Sequence, residues 1–244
     1  MQNNVKVSVI TVCYNSARTI EATIQSILMQ TYSNIEYIII DGASRDNTLD
    51  IIKKYEKEFN GRLTVVSEPD DGIYDAMNKG IRMATGEVIG LLNSDDTYEF
   101  DAIEKICKGM TTSKYQILYG FARVYKDGEV DSISMITHHF LKQRMFNHSP
   151  CFVTRNIYFD FGMFNTRYKS VADYDFMLRM SEIEEIEFVP VYELVSNFYV
   201  GGISGTDLAY IDLEKMRKDY GMISKVKYYS EYIRFWMSNL IKRK

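Results

Sequence analysis

The sequence predicts an α/β fold: a mostly parallel sheet flanked by helices, with a C-terminal helical extension. Three observations predict it. Runs rich in β-branched residues alternate with helical periodicity through the first hundred residues, the pattern of parallel strands joined by crossover helices. The runs are apolar at nearly every position, as strands buried on both faces are. The last forty residues lose this alternation and read as helices throughout.

The first strand is Val7 to Cys13. Asn15-Ser16 starts a helix, in which Ile20, Ile24, Ile27 and Leu28 recur at helical spacing. Ile35 to Ile40 is the second strand, followed by a helix over about 48–59. Leu63 to Ser67 is the third strand, Tyr74 to Ala84 the third helix, and Glu87 to Leu92 the fourth strand. Beyond residue 100 the rhythm changes. Gln116 to Tyr125 and Glu129 to Ser134 flank Lys126-Asp127-Gly128, a hairpin signal. A helical stretch follows near His138 to Arg144, then a short strand at Cys151 to Thr154 and helical periodicity from Asp173 to Ile183. An extended run covers Phe188 to Val200, ended by Gly201-Gly202. The reading is one domain over 1–205, with a nucleotide-binding half (1–100) and an acceptor-binding half (101–205), and an amphipathic helical tail over 206–244.

At 244 residues, 46% hydrophobic and 25% charged, the chain suits one filled α/β domain plus an appendage. Cys13, Cys107 and Cys151 lie far apart, with neither metal-ligand spacing nor a disulfide framework, so a reducing, cytoplasmic setting is expected. The apolar run from Val5 to Tyr14 lacks the basic flank and cleavage site of a signal peptide. No stretch approaches the roughly 18 apolar residues of a membrane-spanning helix. Residues 222–244 hold Lys225, Lys227, Arg234, Lys242, Arg243 and Lys244 against Glu231, a charge of +5, which leaves −9 on the rest of a chain whose net charge is −4. Tyr228, Tyr229, Tyr232, Phe235 and Trp236 interleave with those bases. Such a helix either lies on an anionic membrane surface or packs on the body or a second copy.

In parallel sheets ligands bind beyond the carboxyl ends of the strands, so the residues after each strand carry the chemistry. The first strand ends in Thr11-Val12-Cys13-Tyr14-Asn15, where an aromatic beside small polar groups can cradle a nucleoside. The second ends in Asp41-Gly42-Ala43-Ser44-Arg45-Asp46. There Asp41 can accept from a ring N–H of a base, and Asp46 is either functional or a helix cap. After the third strand, Asn78 and Lys79 lie too far into the helix to be caps; they can face the pocket, with Lys79 offsetting phosphate charge. The fourth strand ends in Asn93-Ser94-Asp95-Asp96. Two adjacent carboxylates repel each other and call for a cation. Mg²⁺ and Mn²⁺ prefer oxygen ligands and are commonly held by one or two carboxylates plus substrate phosphates.

Together these segments, with Asp71 to Gly80 and Ala84 to Asp96, resemble the family 2 glycosyltransferases of the GT-A (Rossmann-like) fold. The likeness is to the bacterial enzymes that build O-antigen and capsular polysaccharide. His148-Ser149-Pro150-Cys151, Phe161-Gly162-Met163-Phe164-Asn165 and Ala172-Asp173-Tyr174-Asp175 resemble their second half, and the likeness spans roughly residues 5–205. It implies inverting transfer of a sugar from a nucleotide-sugar, UDP-linked by preference, to a saccharide acceptor that is usually lipid-linked. It implies Thr11, Tyr14 and Asn15 around the nucleoside, Asp41 on the uracil, Asp95 on the ribose or donor sugar, Asp96 on the metal and Asp173 as catalytic base. His148, Asp175 and Gly202 are candidates for contacts with donor or acceptor sugar. The acidic motif of the family often begins with Asp; Asn93 stands there instead. Such an enzyme works in the cytoplasm, peripheral to the inner face of the membrane where residues 222–244 touch it. No nucleic-acid partner is expected, and self-association is left open.

Rival readings fit less well. A sugar nucleotidyltransferase needs a Gly-rich basic loop where Tyr14-Asn15-Ser16 stands. A dehydrogenase needs Gly-x-Gly-x-x-Gly after a strand. A receiver-type signalling domain places its paired acids early in the chain. A nucleotide-sugar binder without turnover is distinguished only by assay.

Overall fold

The structure, a computed structural model, describes residues 5–145, 147–201 and 207–242, the last stretch with side chains over 209–235. Its frame is one nine-stranded sheet. Strands β1 (Val7–Cys13), β2 (Ile35–Asp41), β3 (Leu63–Ser67) and β4 (Val88–Leu91) run parallel in the order β3-β2-β1-β4. Helices α1 (Ile20–Leu28), α2 (Thr48–Tyr55) and α3 (Ile73–Met83) connect them. All seven residues of β1 are buried, as its unbroken apolar run requires. Val7 and Val9 pack with Ile24 of α1 and Ile52 of α2; Ile10 and Val12 pack with Met77 and Ile81 of α3. This alternation covers both faces of the sheet.

Beyond β4 the sheet is mixed. It continues through β8 (Cys151–Thr154), β6 (Gln116–Lys126), β9 (Glu187–Tyr199) and the two-residue β5 (Thr97–Tyr98), with β7 (Glu129–Ser134) on β6. The predicted hairpin is present. Asp127 and Gly128 sit at φ 53° and 86°, and Lys126 pairs with Glu129, the double left-handed turn that matches strand twist. Helices α4 (Ala102–Gly109) and α5 (Arg155–Asp160), with β5, are elements that the hydrophobic pattern did not separate. Only His138–Phe140 forms a turn of 3-10 helix where a longer helical stretch was expected. Its bonds are i to i+3, and the stretch is held by Tyr119 bonding His138 and by burial of Leu141.

Helix α6 (Ala172–Ser181) lies on the same face as α3, and α7 (Asp207–Asp219) packs beside it. Expected as part of a separate tail, α7 belongs to the body. Met216 is fully buried in the core. The Asp212 carboxylate accepts from the backbone N–H groups of Lys169 (2.6 Å) and Ser170 (3.0 Å), and Asp219 pairs with Arg167. Only α8 (Lys225–Lys242) extends from it.

The register places the strand ends in one row, Cys13 opposite Asp41 and Asp41 opposite Ser67. The loops that follow therefore share one rim. Gly86 sets the entry to β4: a Cβ there would lie 2.6 Å from the Ser8 backbone nitrogen and 2.7 Å from the Lys6 carbonyl oxygen. Neither atom can move without shifting β1. Gly86→Ala is therefore expected to lose about 1–3 kcal/mol of stability, the usual cost of overpacking a tight site, measured as a lowered urea midpoint with unchanged slope.

Candidate active site

A cavity of about 680 Å³ opens at the carboxyl edge of the parallel strands. Its walls come from α3 (Tyr74, Met77), the acidic loop (Asn93, Asp95), the 144–148 loop (Arg144, His148), α6 (Asp173, Tyr174) and α7 (Tyr210, Arg217). Residues 80 positions apart in the chain thus meet in one space, because the β4–β8 pairing and the docking of α6 against α3 bring the two halves together.

The acidic loop is held rigidly. The Asp96 N–H bonds the Asn93 carbonyl, the Asp96 carbonyl accepts from the Thr23 hydroxyl at 2.8 Å, and the Ser94 and Ser16 hydroxyls are 2.8 Å apart. Within it the two carboxylates have different surroundings. Asp95 is half-buried on the cavity wall, and burial raises it above the usual carboxylate range. Asp96 is fully buried beneath the wall. Its Oδ1 accepts from the Tyr199 N–H at 3.1 Å, and its Oδ2 has no well-formed hydrogen bond. Burial, then the charge of Asp95, pushes Asp96 up to about 7. Asp95 is thus the carboxylate presented to the cavity, and Asp96 lies behind it at the junction of β5 and β9. Asn93 also lines the cavity, with a buried Oδ1 that lacks a partner.

Opposite stands Asp173, 6% exposed, in the first turn of α6. Its Oδ1 accepts from the Tyr74 hydroxyl at 2.7 Å and from the Tyr174 N–H at 2.9 Å, and its Oδ2 lies 3.1 Å from His148 Nδ1. Burial alone would push His148 down. The hydrogen bond and charge of Asp173, with Asp96 and Asp95 beyond, outweigh it and raise His148 above its usual value. His148 Nε2 is buried without a partner.

The loops after β1 and β2 form a separate part of the same edge. The Tyr14 ring is 59% exposed, and a Cβ on Gly42 would lie 3.2 Å from Asp70 Oδ2 and 3.5 Å from that ring. A flat surface is thus left beside an open aromatic face. Asn15, at φ 51°, accepts from the Arg45 N–H and donates its own N–H to Ser44, both at 2.8 Å, tying the first loop to the second.

Several expected contacts are already used by the protein. Thr11 is fully buried and accepts from the Tyr37 hydroxyl at 3.0 Å, on the face away from the cavity. Asp41 is fully buried, and its oxygens accept from the Ser44 N–H and hydroxyl, the Ser67 hydroxyl and the Cys13 thiol. Both of its oxygens are thus engaged by the loops after β1, β2 and β3. Asp46 is the cap among the readings open to it, accepting from the Thr48 and Ala17 N–H groups. Asn78 clamps the backbone of Phe164 through both ends of its amide, at 2.9 and 3.1 Å. Lys79 pairs with Asp70 at 2.6 Å and Glu68 at 2.9 Å, so its charge is spent within its own loop. Asp175 is bound by Arg179 and the Tyr220 hydroxyl, both at 2.9 Å, and fastens α7 to α6. Gly202 lies outside the described residues. Sequence reasoning missed Tyr74, Arg144 and the α7 wall. Tyr74 sits one residue into α3, in the segment already singled out, and no local signal marks the others.

Residues 8–180 match the family Glycosyl transferase family 2. A PGL/p-HBAD biosynthesis glycosyltransferase of Mycobacterium bovis (strain BCG / Pasteur 1173P2) is 29% identical over 202 residues, covering 82% of this chain and 79% of that protein. Chondroitin synthase of Pasteurella multocida (strain Pm70) is 33% identical over 193 residues, covering 72% of this chain and 19% of the synthase. Among solved structures, S. aureus TarS 1–349 in complex with UDP superposes with a TM-score of 0.69 at 19% identity, over 87% of this chain and 63% of that one. Mannosyltransferase PcManGT from Pyrobaculum calidifontis, in complex with GDP-Man and Mn²⁺, gives 0.61 at 19% identity over 94% and 64%. The fold is thus of the GT-A type. The chain belongs to glycosyl transferase family 2.

The raised Asp96 has a consequence for stability. A carboxyl group whose folded-state value lies above its unfolded one stabilises the fold while protonated, and this contribution is lost as pH rises through the folded value. In a metal-free buffer the wild type should fall behind Asp96→Asn progressively from about pH 4 up to the folded value of about 7 and level off above it. Urea unfolding of both proteins across that range measures it; a gap independent of pH would contradict it.

Proposed function

We propose that the chain transfers a sugar, with inversion, from a nucleotide-sugar to a saccharide acceptor that is lipid-linked, in the assembly of cell-surface polysaccharide. The carrying observation is that Asn93 and Asp95 face Asp173 and His148 around one cavity at the carboxyl edge of the sheet. The exposed Tyr14 ring at the same edge supports a stacked base, and UDP is the favoured carrier. The sugar donor is a hexose or N-acetylhexosamine nucleotide. The named relatives, a PGL/p-HBAD biosynthesis glycosyltransferase and chondroitin synthase, support the acceptor class.

A divalent cation, Mn²⁺ or Mg²⁺, fits the donor set. Asn93 and Asp95 line the cavity, Asn93 Oδ1 is buried without a partner, and Asp96 Oδ2 is buried with no well-formed hydrogen bond. Among the described residues no three His, Cys, Asp or Glu form a complete cation site, so the diphosphate must supply further ligands, as hard cations at phosphate sites commonly require. Bound there, the cation would offset the charge that grows on the departing diphosphate. Asn93 and Asp95 hold and orient the donor. Across the cavity, Asp173 and the His148 bonded to it stand where the attacking hydroxyl loses its proton. Met77, Val171 and Leu213 keep that side of the cavity apolar, which favours an amphiphilic acceptor.

Helix α8 supports placement at a membrane surface. Tyr228 and Phe235 turn inward, under Lys218 and against Tyr210, while Val226, Tyr229 and Ile233 are 80%, 58% and 57% exposed. Lys225, Lys227 and Arg234 accompany that outward stripe, the composition of an interfacial helix. No helix among the described residues is long and apolar enough to cross a membrane.

Two measurements test the reading. UDP release from UDP-glucose, UDP-galactose and UDP-N-acetylglucosamine, with octyl glycosides as acceptors, should require Mn²⁺ or Mg²⁺. It should fall by about 10²-fold or more in Asp95→Ala and Asp173→Ala, the scale of losing an electrostatic or acid–base group. Unchanged rates in both variants would reject the site. Co-sedimentation with vesicles containing phosphatidylglycerol should be strong for the wild type and lost in Tyr229→Ser/Ile233→Ser, whose inward face is intact; equal binding would reject the membrane contact.

A further inference from the structure

Two positive charges on the cavity wall, Arg144 and Arg217, have no counterpart within the cavity. Asp173 is held by Tyr74 and His148, and no arginine or lysine pairs with Asp95 among the described residues. Arg144 is exposed, and no acid pairs with it among those residues. Arg217 donates from Nη1 to Glu214, a buried carboxylate one turn earlier in α7, at 2.8 Å. A guanidinium carries five N–H donors in a planar fork, so that bond leaves its Nε and Nη2 for another acceptor.

Tyr174 relates the two arginines. Its hydroxyl donates to the Leu141 carbonyl, in the turn where the Arg144 N–H bonds the Phe140 carbonyl. Burial raises that phenol, and the charge of Arg217 pulls against it. Tyr174 itself lines the cavity, so both arginines border one stretch of its wall. Helix α7 shows what accompanies them. Its lining residues are Ala209, Tyr210, Leu213 and Arg217, which share one helix face. That face runs from apolar to cationic toward the helix C-terminus, and Leu213 and Arg217, four residues apart, are neighbours on it. A ligand that matches this wall carries an anion beside an apolar surface.

We propose that Arg144 and Arg217 bind an anionic group of the acceptor, a phosphate or carboxylate lying beyond the sugar whose hydroxyl reacts. The proposal rests on the glycosyl-transfer reading and adds the charge class of its acceptor. Guanidinium forks suit either oxyanion, because two parallel N–H donors match two oxygens. A phosphate would come from the link to a lipid, a carboxylate from an acidic sugar of the chain.

Two other roles explain less. A cation in the last turn of α7 complements the helix dipole, and Glu214 holds it there. That accounts for Arg217 and not for Arg144, which lies on another segment. The donor diphosphate is the other anion at hand. In the proposed reaction its charge is met by the cation at Asn93 and Asp95, which leaves the arginines for the acceptor.

Calorimetry on the full chain tests the assignment. With UDP and Mn²⁺ at saturation the donor diphosphate site is filled, and glucose 1-phosphate, glucuronate and glucose are titrated in separate runs. At least one of the two anions should bind about 10-fold or more tighter than glucose, the scale of a hydrogen bond to a charged group. Preference for glucose 1-phosphate would assign the anion to a lipid link, and preference for glucuronate to an acidic sugar. Arg144→Gln should remove the advantage while melting like the wild type, since it breaks no ion pair among the described residues. Arg217→Lys, which keeps a charge for Glu214 and loses the fork, should weaken the anion and leave glucose as it was. UDP–Mn²⁺ affinity should be the same in both variants. Anions that bind no better than glucose, or equally well to the wild type and both variants, would overturn the proposal. So would a loss of UDP–Mn²⁺ affinity in the variants, which would give the arginines to the donor diphosphate. In each of these cases the wild type still binds UDP–Mn²⁺ and the transfer reading stands, whereas absent UDP–Mn²⁺ binding by the wild type would reject that reading and the proposal with it.

Discussion

Two neighbouring carboxylates, one on the cavity wall and one buried beneath it, are the constraint around which the molecule is organised. Asp96 is shut away from water with one oxygen unpartnered, beside the like charge of Asp95. Such a pair resists full ionisation without positive charge nearby, and no lysine or arginine forms an ion pair with either among the described residues. The chain nevertheless holds the loop firmly, through Thr23, Ser16 and the Tyr199 backbone. A cation carried in with a diphosphate would relieve this repulsion.

The two halves of the sheet divide the remaining work. The parallel half aligns the strand ends so that the Tyr14–Gly42 cradle and the acidic loop occupy one rim. The mixed half places His148 just before β8 and hangs the end of β9 beside Asp96. Helices α6 and α7 then close the opposite side of the cavity. Asp175, which binds Arg179 and Tyr220, and Asp212, which caps the segment before α6, are the fastenings that make α7 a wall. The pairing of Tyr210 with Phe235 links that wall to α8. A membrane-lying α8 would thus bring the cavity close to the lipid surface.

Much of this was legible in the residues. The β-branched runs marked β1 to β4, since strands buried on both faces admit few alternatives, and the Asp127-Gly128 turn marked the hairpin because few other residues adopt two left-handed conformations in succession. The family resemblance led to Asp173, and the strand-end rule to Asp95 and Asp96. It could not tell Asp95 from Asp96, because side-chain direction in an irregular loop is set by tertiary bonds, here those of Thr23 and Tyr199. Nor could it foresee that Asn78, Lys79, Asp41 and Asp175 are already satisfied. Their partners, Phe164, Asp70, Ser67 and Tyr220, are chosen by folding. The docking of α7 was hidden for the same reason: the acids that tie it down look like any solvated helix face.

The central claim, that the carboxylate loop is completed by a cation arriving with a diphosphate, is tested most directly by calorimetry of UDP and Mn²⁺ on the full chain. The account predicts weak binding of either alone and tight binding of each in the presence of the other, with the cooperativity abolished by Asp95→Asn. UDP binding of equal strength in the presence of a chelator, or tight Mn²⁺ binding without UDP, would contradict it.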